Sequence, residues 1–388
     1  MNAAELARLL LTAVRDQRFE LTPDRLQGGA PVGLHPSIDL AVAAFPDGAA
    51  PIWANVLFSR EHPQGRVADI DAQAGPVRNI AYLADPLDAQ GRSIAWLPGS
   101  DWNALRWRAL AGKGPLRFVA PYPASLIKLM VLVGVARLVD AGRSRWTEAL
   151  SFDGETHPVG DWALDMTTVS CNRATSALVA HLHARGALGP QHNELHAAFE
   201  ARGLGCLRFE RTRPDGGWRN GDGAGVGRLQ MSAWDSLRLL WLIDPMAPPA
   251  PWLPPGTPPL LGDSREHVLL CLREQRLHHI LSSGALRGQP GWIEGLPARM
   301  PDGGPGSVVF AHKTGNTENY SSDAGIVYGI VPAQRHYLIA LTSNLGSRYA
   351  PADSADNGDN GEGGCVTDWR LPALGAAIDA GLRAHLEP

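Results

Sequence analysis

Two periodicities run along the chain, and the switch between them marks where element types change. Near the N-terminus Leu6, Leu9, Leu10 and Val14 recur every three or four positions, which predicts an amphipathic surface helix. Residues 20–50 are rich in Pro and Gly and read as a wrapping segment. Residues 52–58 (IWANVLF) and 78–84 (RNIAYLA) are β-branched, aromatic and aliphatic, and read as strands. Pro123 then opens, and Gly142 closes, a helix in which residues 126–139 are apolar on nearly every side. A helix without a polar face is buried, so this one is expected to run through the middle of the fold.

Helical spacing continues over residues 162–169, 174–184, 193–201, 233–243 and 265–275, interrupted by a glycine-rich loop at 211–228. From Ser307 the pattern turns to strands: SVVFAHKTG, AGIVYGIV and HYLIALTSN, separated by short polar turns as in an antiparallel meander. Residues 352–364 are acidic and glycine-rich and read as a surface loop, and a last helix is expected over 371–385. Strands at both ends with helices between them give an α+β plan in which the terminal segments share one antiparallel sheet.

Composition removes several function classes. The 388 residues are 44% hydrophobic and 19% charged, as in a folded globular protein, and the net charge of −4 offers no field for nucleic acid or anionic lipid. No run of about 18 apolar residues is present, so no membrane span is expected. The first residues lack the basic start of a signal peptide, and Glu5, Arg8 and Arg15 interrupt the apolar stretch. A cytoplasmic monomer is expected, or a periplasmic one if the true N-terminus differs. Cys171, Cys206, Cys271 and Cys365 form no CxxC pair, which excludes a zinc ribbon, and no metal or organic cofactor is implied. Reduced thiols or one or two bridges both fit.

Lysine is scarce. Of 35 basic residues only Lys113, Lys128 and Lys313 are lysines. An amine can lose its proton in a folded site and a guanidinium cannot, so each lysine calls for a reason. Ser125-Leu126-Ile127-Lys128 opens the buried helix and puts both polar side chains on one face. Unpaired N–H groups of the first turn favour negative charge at Ser125, and burial of Lys128 favours its neutral form. That pairing is the minimum for a serine nucleophile, although a capping Ser and a snorkelling Lys would also satisfy the spacing. Ser170-Cys171-Asn172 lies between two helices, where Ser and Asn are ordinarily caps. Lys313-Thr314-Gly315 ends a strand, with a fixed positive charge beside a hydroxyl and a glycine that allows close approach. Two of three lysines fall in these elements, in the order S-x-x-K, S-x-N, K-T-G, and coincidence explains that poorly.

The ordered triple resembles the signature of the penicillin-recognising serine enzymes, class A β-lactamases in particular, over roughly residues 50–388. PYPASLIKLMVLVGVARLVDAG, MTTVSCNRATSALVAHL and HKTGNTENYSSDAGIVYGIV carry the likeness. The resemblance implies a β-lactamase/transpeptidase-like α+β fold, with an antiparallel five-stranded sheet flanked by helices and a helical subdomain. The helix and wrapping segment would occupy 1–50 and the catalytic domain 51–388, its sheet part at 51–120 and 305–388 and its helical part at 121–304. It also implies roles. Ser125 would be the acylated nucleophile, Lys128 its base and Ser170 a proton relay. Asn172, Lys313, Thr314, Gly315 and Asn316 would bind substrate, with the amides of Ser125 and Asn316 forming an oxyanion hole.

Two departures stand out. Cys171 replaces the aspartate usual in the middle motif, and a buried inert thiol is expected there. The Ω-loop E-x-x-N that activates a deacylating water in class A enzymes is missing: Glu210 begins E-R-T-R, and Asp215 and Asp222 are the other carboxylates of the stretch. Glu210 and Asp215 are the candidate deacylation bases. The reading is a serine hydrolase acting on an amide or ester, β-lactam-type, of a small molecule or peptide. The rivals are a D-alanyl-D-alanine-type peptidase, a cytosolic esterase or amidase, and an acylated sensor or inactive binding homologue. His192 and His196 invite comparison with a zinc helix, but Glu194 is misplaced for H-E-x-x-H and both are expected to be exposed.

Overall fold

The N-terminal helix runs Ala3–Asp16 (α1), closed at its start by reciprocal hydrogen bonds between Asn2 and Glu5. Leu6, Leu10 and Val14 are fully buried, as the spacing requires. The computed structural model describes residues 1–86, 100–218, 228–254, 259–349 and 369–387. The tract at 352–364, the glycine run at 221–227, Asp222 and Cys365 lie outside the described residues.

The wrapping segment expected at 20–50 contains a strand, Ile38–Ala44 (β1), all seven residues of which are buried. It pairs with Ile52–Ser59 (β2), which is followed by His62–Val67 (β3). A domain boundary at residue 50 therefore falls inside a hairpin. The strand lacks polar alternation because both faces are covered: Ile38, Leu40 and Val42 face one core, Ala41 and Ala43 the other. The expected strand near residue 80 is Ile80–Ala84 (β4), but it leaves the main sheet. With Ala109–Ala111 (β5) and Leu116–Ala120 (β6) it forms a separate three-stranded sheet, parallel between β4 and β6.

The apolar helix is present as a 3₁₀ turn, Ala124–Ile127, continued by Lys128–Asp140 (α2), with ten of its thirteen α-helical residues buried. Val159–Thr168 (α3), Asn172–Ala184 (α4), Glu194–Glu200 (α5), Ala233–Ile243 (α6) and Gly262–Arg273 (α7) follow within a few residues of the predicted bounds. The meander comprises Val308–Asn316 (β7), Ser321–Gly329 (β8) and His336–Ser343 (β9), and Arg370–Leu386 (α8) ends the chain. The main sheet is antiparallel in the order β7-β8-β9-β1-β2-β3, so it has six strands where five were expected. Two of the six were not expected, β1 in the middle of the sheet and β3 at its edge, while β4 lies outside it.

One face of the sheet packs on α1 and α8 through Leu6, Leu10, Leu374 and Ile378; the other packs on the helical region around α2 and α6. No described helix is long and apolar enough to cross a membrane.

Candidate active site

Three segments distant in sequence meet where β7 ends and α2 begins. Gly315 makes the junction possible. A Cβ there would lie 2.5 Å from the Pro123 carbonyl oxygen and 2.7 Å from the Leu126 nitrogen, so only glycine lets the turn carrying Ser125 dock on the strand. Ser322 of β8 donates to the same Pro123 carbonyl at 2.5 Å. Ala124, immediately before Ser125, is held at φ +51°, a left-handed conformation unusual for a side-chain-bearing residue. Ser125 itself is partly exposed at the mouth of the site.

Lys128 is 1% exposed, as expected from its apolar helix. Its Nζ donates to Ser170 Oγ at 3.0 Å, to Asn172 Oδ1 at 2.9 Å and to the Ser170 carbonyl. Ser170 lies on the junction between α3 and α4 at φ +58°, a second left-handed residue, which turns both its oxygens toward the amine. Lys313 reaches the same hydroxyl from β7, donating to Ser170 Oγ at 3.1 Å and to the Thr314 carbonyl at 2.8 Å. Both amines thus touch one oxygen and lie within about 6 Å of each other.

Lys313 is fully buried, and desolvation lowers its pKa to about 7; the charge of Asp323 pushes the other way. The fixed positive charge expected at this position is therefore a titrating one. Thr314 is buried beside it, and Asn316, half-buried at the end of the strand, accepts from Ser321 Oγ at 2.8 Å. Ser125, Lys128, Ser170, Asn172, Lys313, Thr314, Gly315 and Asn316 are thus gathered by the α2 entrance, the α3–α4 junction and one strand end.

The deacylation candidates are placed elsewhere. Asp215 is largely exposed, bonded to the Arg213 guanidinium and the Gly217 amide, and these contacts hold its carboxyl below the usual range. Gly216 beside it packs against the Ser176 carbonyl on α4. Glu210 is 45% exposed and lies 4.0 Å from His196 Nδ1. Among the described residues of the same stretch, Trp218 reaches the site: it is 6% exposed and its ring centre lies 5.8 Å from Lys128 Nζ. Sequence reasoning sought a carboxylate here and passed over the indole; the signal available was a lone Trp in an otherwise polar, glycine-rich run.

Cys171 is half-buried rather than buried, and its sulfur accepts from the Ala174 amide at 3.5 Å, capping α4 where the aspartate would. His192 is exposed as expected and contacts the Gly186 carbonyl, whereas His196 is half-buried and its Nε2 accepts from the Phe209 amide at 2.7 Å. No group of His, Cys, Asp and Glu among the described residues is arranged to hold a metal.

No protein-family model and no curated protein matches the chain. Solved structures do. A mutant of PBP-A, captured as an acyl-enzyme complex with penicillin G, aligns at 16% identity and a TM-score of 0.50, over 99% of this chain and 98% of the other. The fold is the β-lactamase/transpeptidase-like one. β-Lactamases align over shorter spans. The enzyme of Sphaerobacter thermophilus matches at 15% identity and a TM-score of 0.44, over 68% of this chain and 82% of its own. A variant of the class A enzyme of the last common ancestor of Gram-negative bacteria matches at 17% and 0.44, over 72% and 89%. At such identities the β-lactamase-like likeness is one of fold, and chemistry has to be argued from the site.

Proposed function

We propose that the chain is a serine acyl-transfer enzyme that opens a β-lactam or a comparable amide or ester and releases the acyl group slowly. The observation that carries this reading is the convergence of Lys128 and Lys313 on one hydroxyl beside the turn that bears Ser125. In the proposed sequence neutral Lys128 takes the Ser125 hydroxyl proton as Oγ bonds to the carbonyl carbon. The carbon–nitrogen bond then breaks, and the leaving nitrogen receives a proton through Ser170, which is replenished from the amine it contacts. Lys313 and Thr314 hold a substrate carboxylate, and the amides of Ser125 and Asn316 face the oxyanion. Water later cleaves the ester and restores Ser125.

Slow release rests on Trp218. A deacylating water needs a base beside the ester. Of the two described carboxylates considered for that role, one is tied to Arg213 and the other stands by His196, while an indole covers the Lys128 amine. This favours a peptidase-like or sensor-like acyl-enzyme over rapid β-lactam hydrolysis.

Incubation with a chromogenic cephalosporin, read for both turnover and intact mass, tests the reading. A one-to-one adduct that is absent in Ser125→Ala, with little turnover, is expected. Rapid turnover would overturn slow release, and neither adduct nor turnover with any β-lactam would overturn acylation.

A further inference from the structure

Beneath β7, on the face away from the active site, lies a second set of titratable groups that the mechanism leaves unused. Along β7, Val308, Phe310 and His312 point to the α1–α8 core, while Ala311 and Lys313 point to the helical side. His312 is fully buried, stacks on Phe310 at 4.0 Å, and its Nδ1 meets Asp323 Oδ1 at 2.7 Å. Asp323, on β8 opposite Thr314, is also fully buried, and its other oxygen accepts from the Leu281 amide at 3.1 Å. His278 and His279 complete the group from the segment before Leu281. The His278 ring lies 4.5 Å from that of His312 and hydrogen-bonds Ser282 at 2.7 Å, and both nitrogens of His279 lack a hydrogen-bond partner.

A sealed carboxylate among three imidazoles is costly unless some charge nearby offsets it. The imidazoles do not supply that charge, because desolvation keeps His278, His279 and His312 below their ordinary range and so neutral. The cation beside it in the sheet is Lys313, one residue from His312 and one register position from Asp323. Lys313 in turn is fully buried, and the loss of solvation works to strip its proton. We propose that Asp323, oriented by His312 and the Leu281 amide, is a positioning residue: the counter-charge that, through the sheet, keeps Lys313 protonated and able to bind an anionic substrate. The groups facing this pair are His278 and His279, His312 on β7, Lys128 on α2 and, more remotely, Asp302 near His278. Burial raises the Asp323 carboxyl to about 7, so its proton and that of Lys313 exchange over one pH range.

The binding role of Lys313 rests on the function proposed above; its protonation does not, and the two are measured separately. With only three lysines, ¹³C-lysine labelling gives a resolvable spectrum in which Lys313→Arg identifies one signal. Lys313 is expected to titrate near neutrality, and Asp323→Asn to lower its midpoint by about one unit or more, as loss of a close opposite charge should. His312→Phe keeps the ring stack but donates nothing, and is expected to shift Lys313 in the same direction; His312→Asn, whose amide replaces Nδ1, restores it. An unmoved Lys313 midpoint in the folded Asp323→Asn or His312→Phe protein overturns the inference. So does a wild-type Asp323 carboxyl, followed by its own ¹³C signal, that stays protonated through neutral pH. A shifted Lys313 in a protein no β-lactam acylates would uphold this inference while the proposed function failed.

Discussion

Lys128 and Lys313 reach one hydroxyl from opposite sides, and what stands behind each amine differs. Lys128 comes from a helix and donates to three neutral oxygens, with the Trp218 indole over it. Lys313 comes from a strand, contacts a hydroxyl and a carbonyl, and has a carboxylate across the sheet. A carboxylate across the sheet favours the charged form of Lys313 against its burial, which suits that amine to an anionic substrate. The division proposed above, proton transfer at Lys128 and substrate anchoring at Lys313, can be tested because the two lysines are almost equally buried.

The largest test separates the two. Lys128→Ala is expected to slow acylation about 10²–10⁴-fold for every substrate, the range usual for loss of a positioned base. Lys313→Ala should cost acylation only for carboxylate-bearing substrates, about 10–100-fold from losing a charged hydrogen bond, and leave uncharged esters nearly unaffected. Stopped-flow acylation with both substrate kinds reads the split, and equal losses in the two variants would erase the distinction.

The anchoring amine also sets a pH limb. Free Lys313 with a pKa of about 7 binds a carboxylate while protonated and loses that ability as pH rises, so kcat/KM for acylation should decline about tenfold per unit on the alkaline side. The decline should be missing with uncharged esters. A flat profile to pH 9 with charged substrates would mean that Lys313 keeps its proton more firmly than its burial implies.

The lysines were legible before any coordinates because they are rare, and rarity made the two motifs informative together. The apolar run of α2 and the alternation of β7–β9 were legible for the same reason, each being an unmixed signal over many residues. β1 was not: its seven residues are covered on both sides, which removes the alternation, and the Pro and Gly around it read as loop. The pair behind Lys313 had a visible trace, a histidine in phase with Val308 and Phe310, but its partner Asp323 is defined only by strand register. Trp218 was passed over because a carboxylate was sought, although it stood out as a lone Trp in a polar, glycine-rich run.

The junction between the two lysines gives a smaller, more local effect. Gly315→Ala places a methyl 2.5 Å from the Pro123 carbonyl and 2.7 Å from the Leu126 nitrogen. Both are backbone atoms that cannot swing aside, so the turn bearing Ser125 must move. Overpacking of this kind costs about 1–3 kcal/mol, or about 10–100-fold where it falls on the reacting geometry. Because both lysines remain, the Lys313 titration should persist while acylation falls. Retained acylation would show that the turn accommodates the methyl without moving Ser125.

The smallest expected effect concerns the indole. Trp218→Ala removes the side chain over Lys128 and opens that side of the ester to water without adding a base. Its consequence should fall on release alone: the adduct on Ser125 shortens its lifetime several-fold, while the rate at which it forms changes little. Adduct lifetime followed by intact mass distinguishes this from general loosening, which would depress formation as well. If removal of the indole leaves the lifetime as it was, exclusion of water is not what slows release, and the cause lies in the geometry of Ser125 and the amides around it.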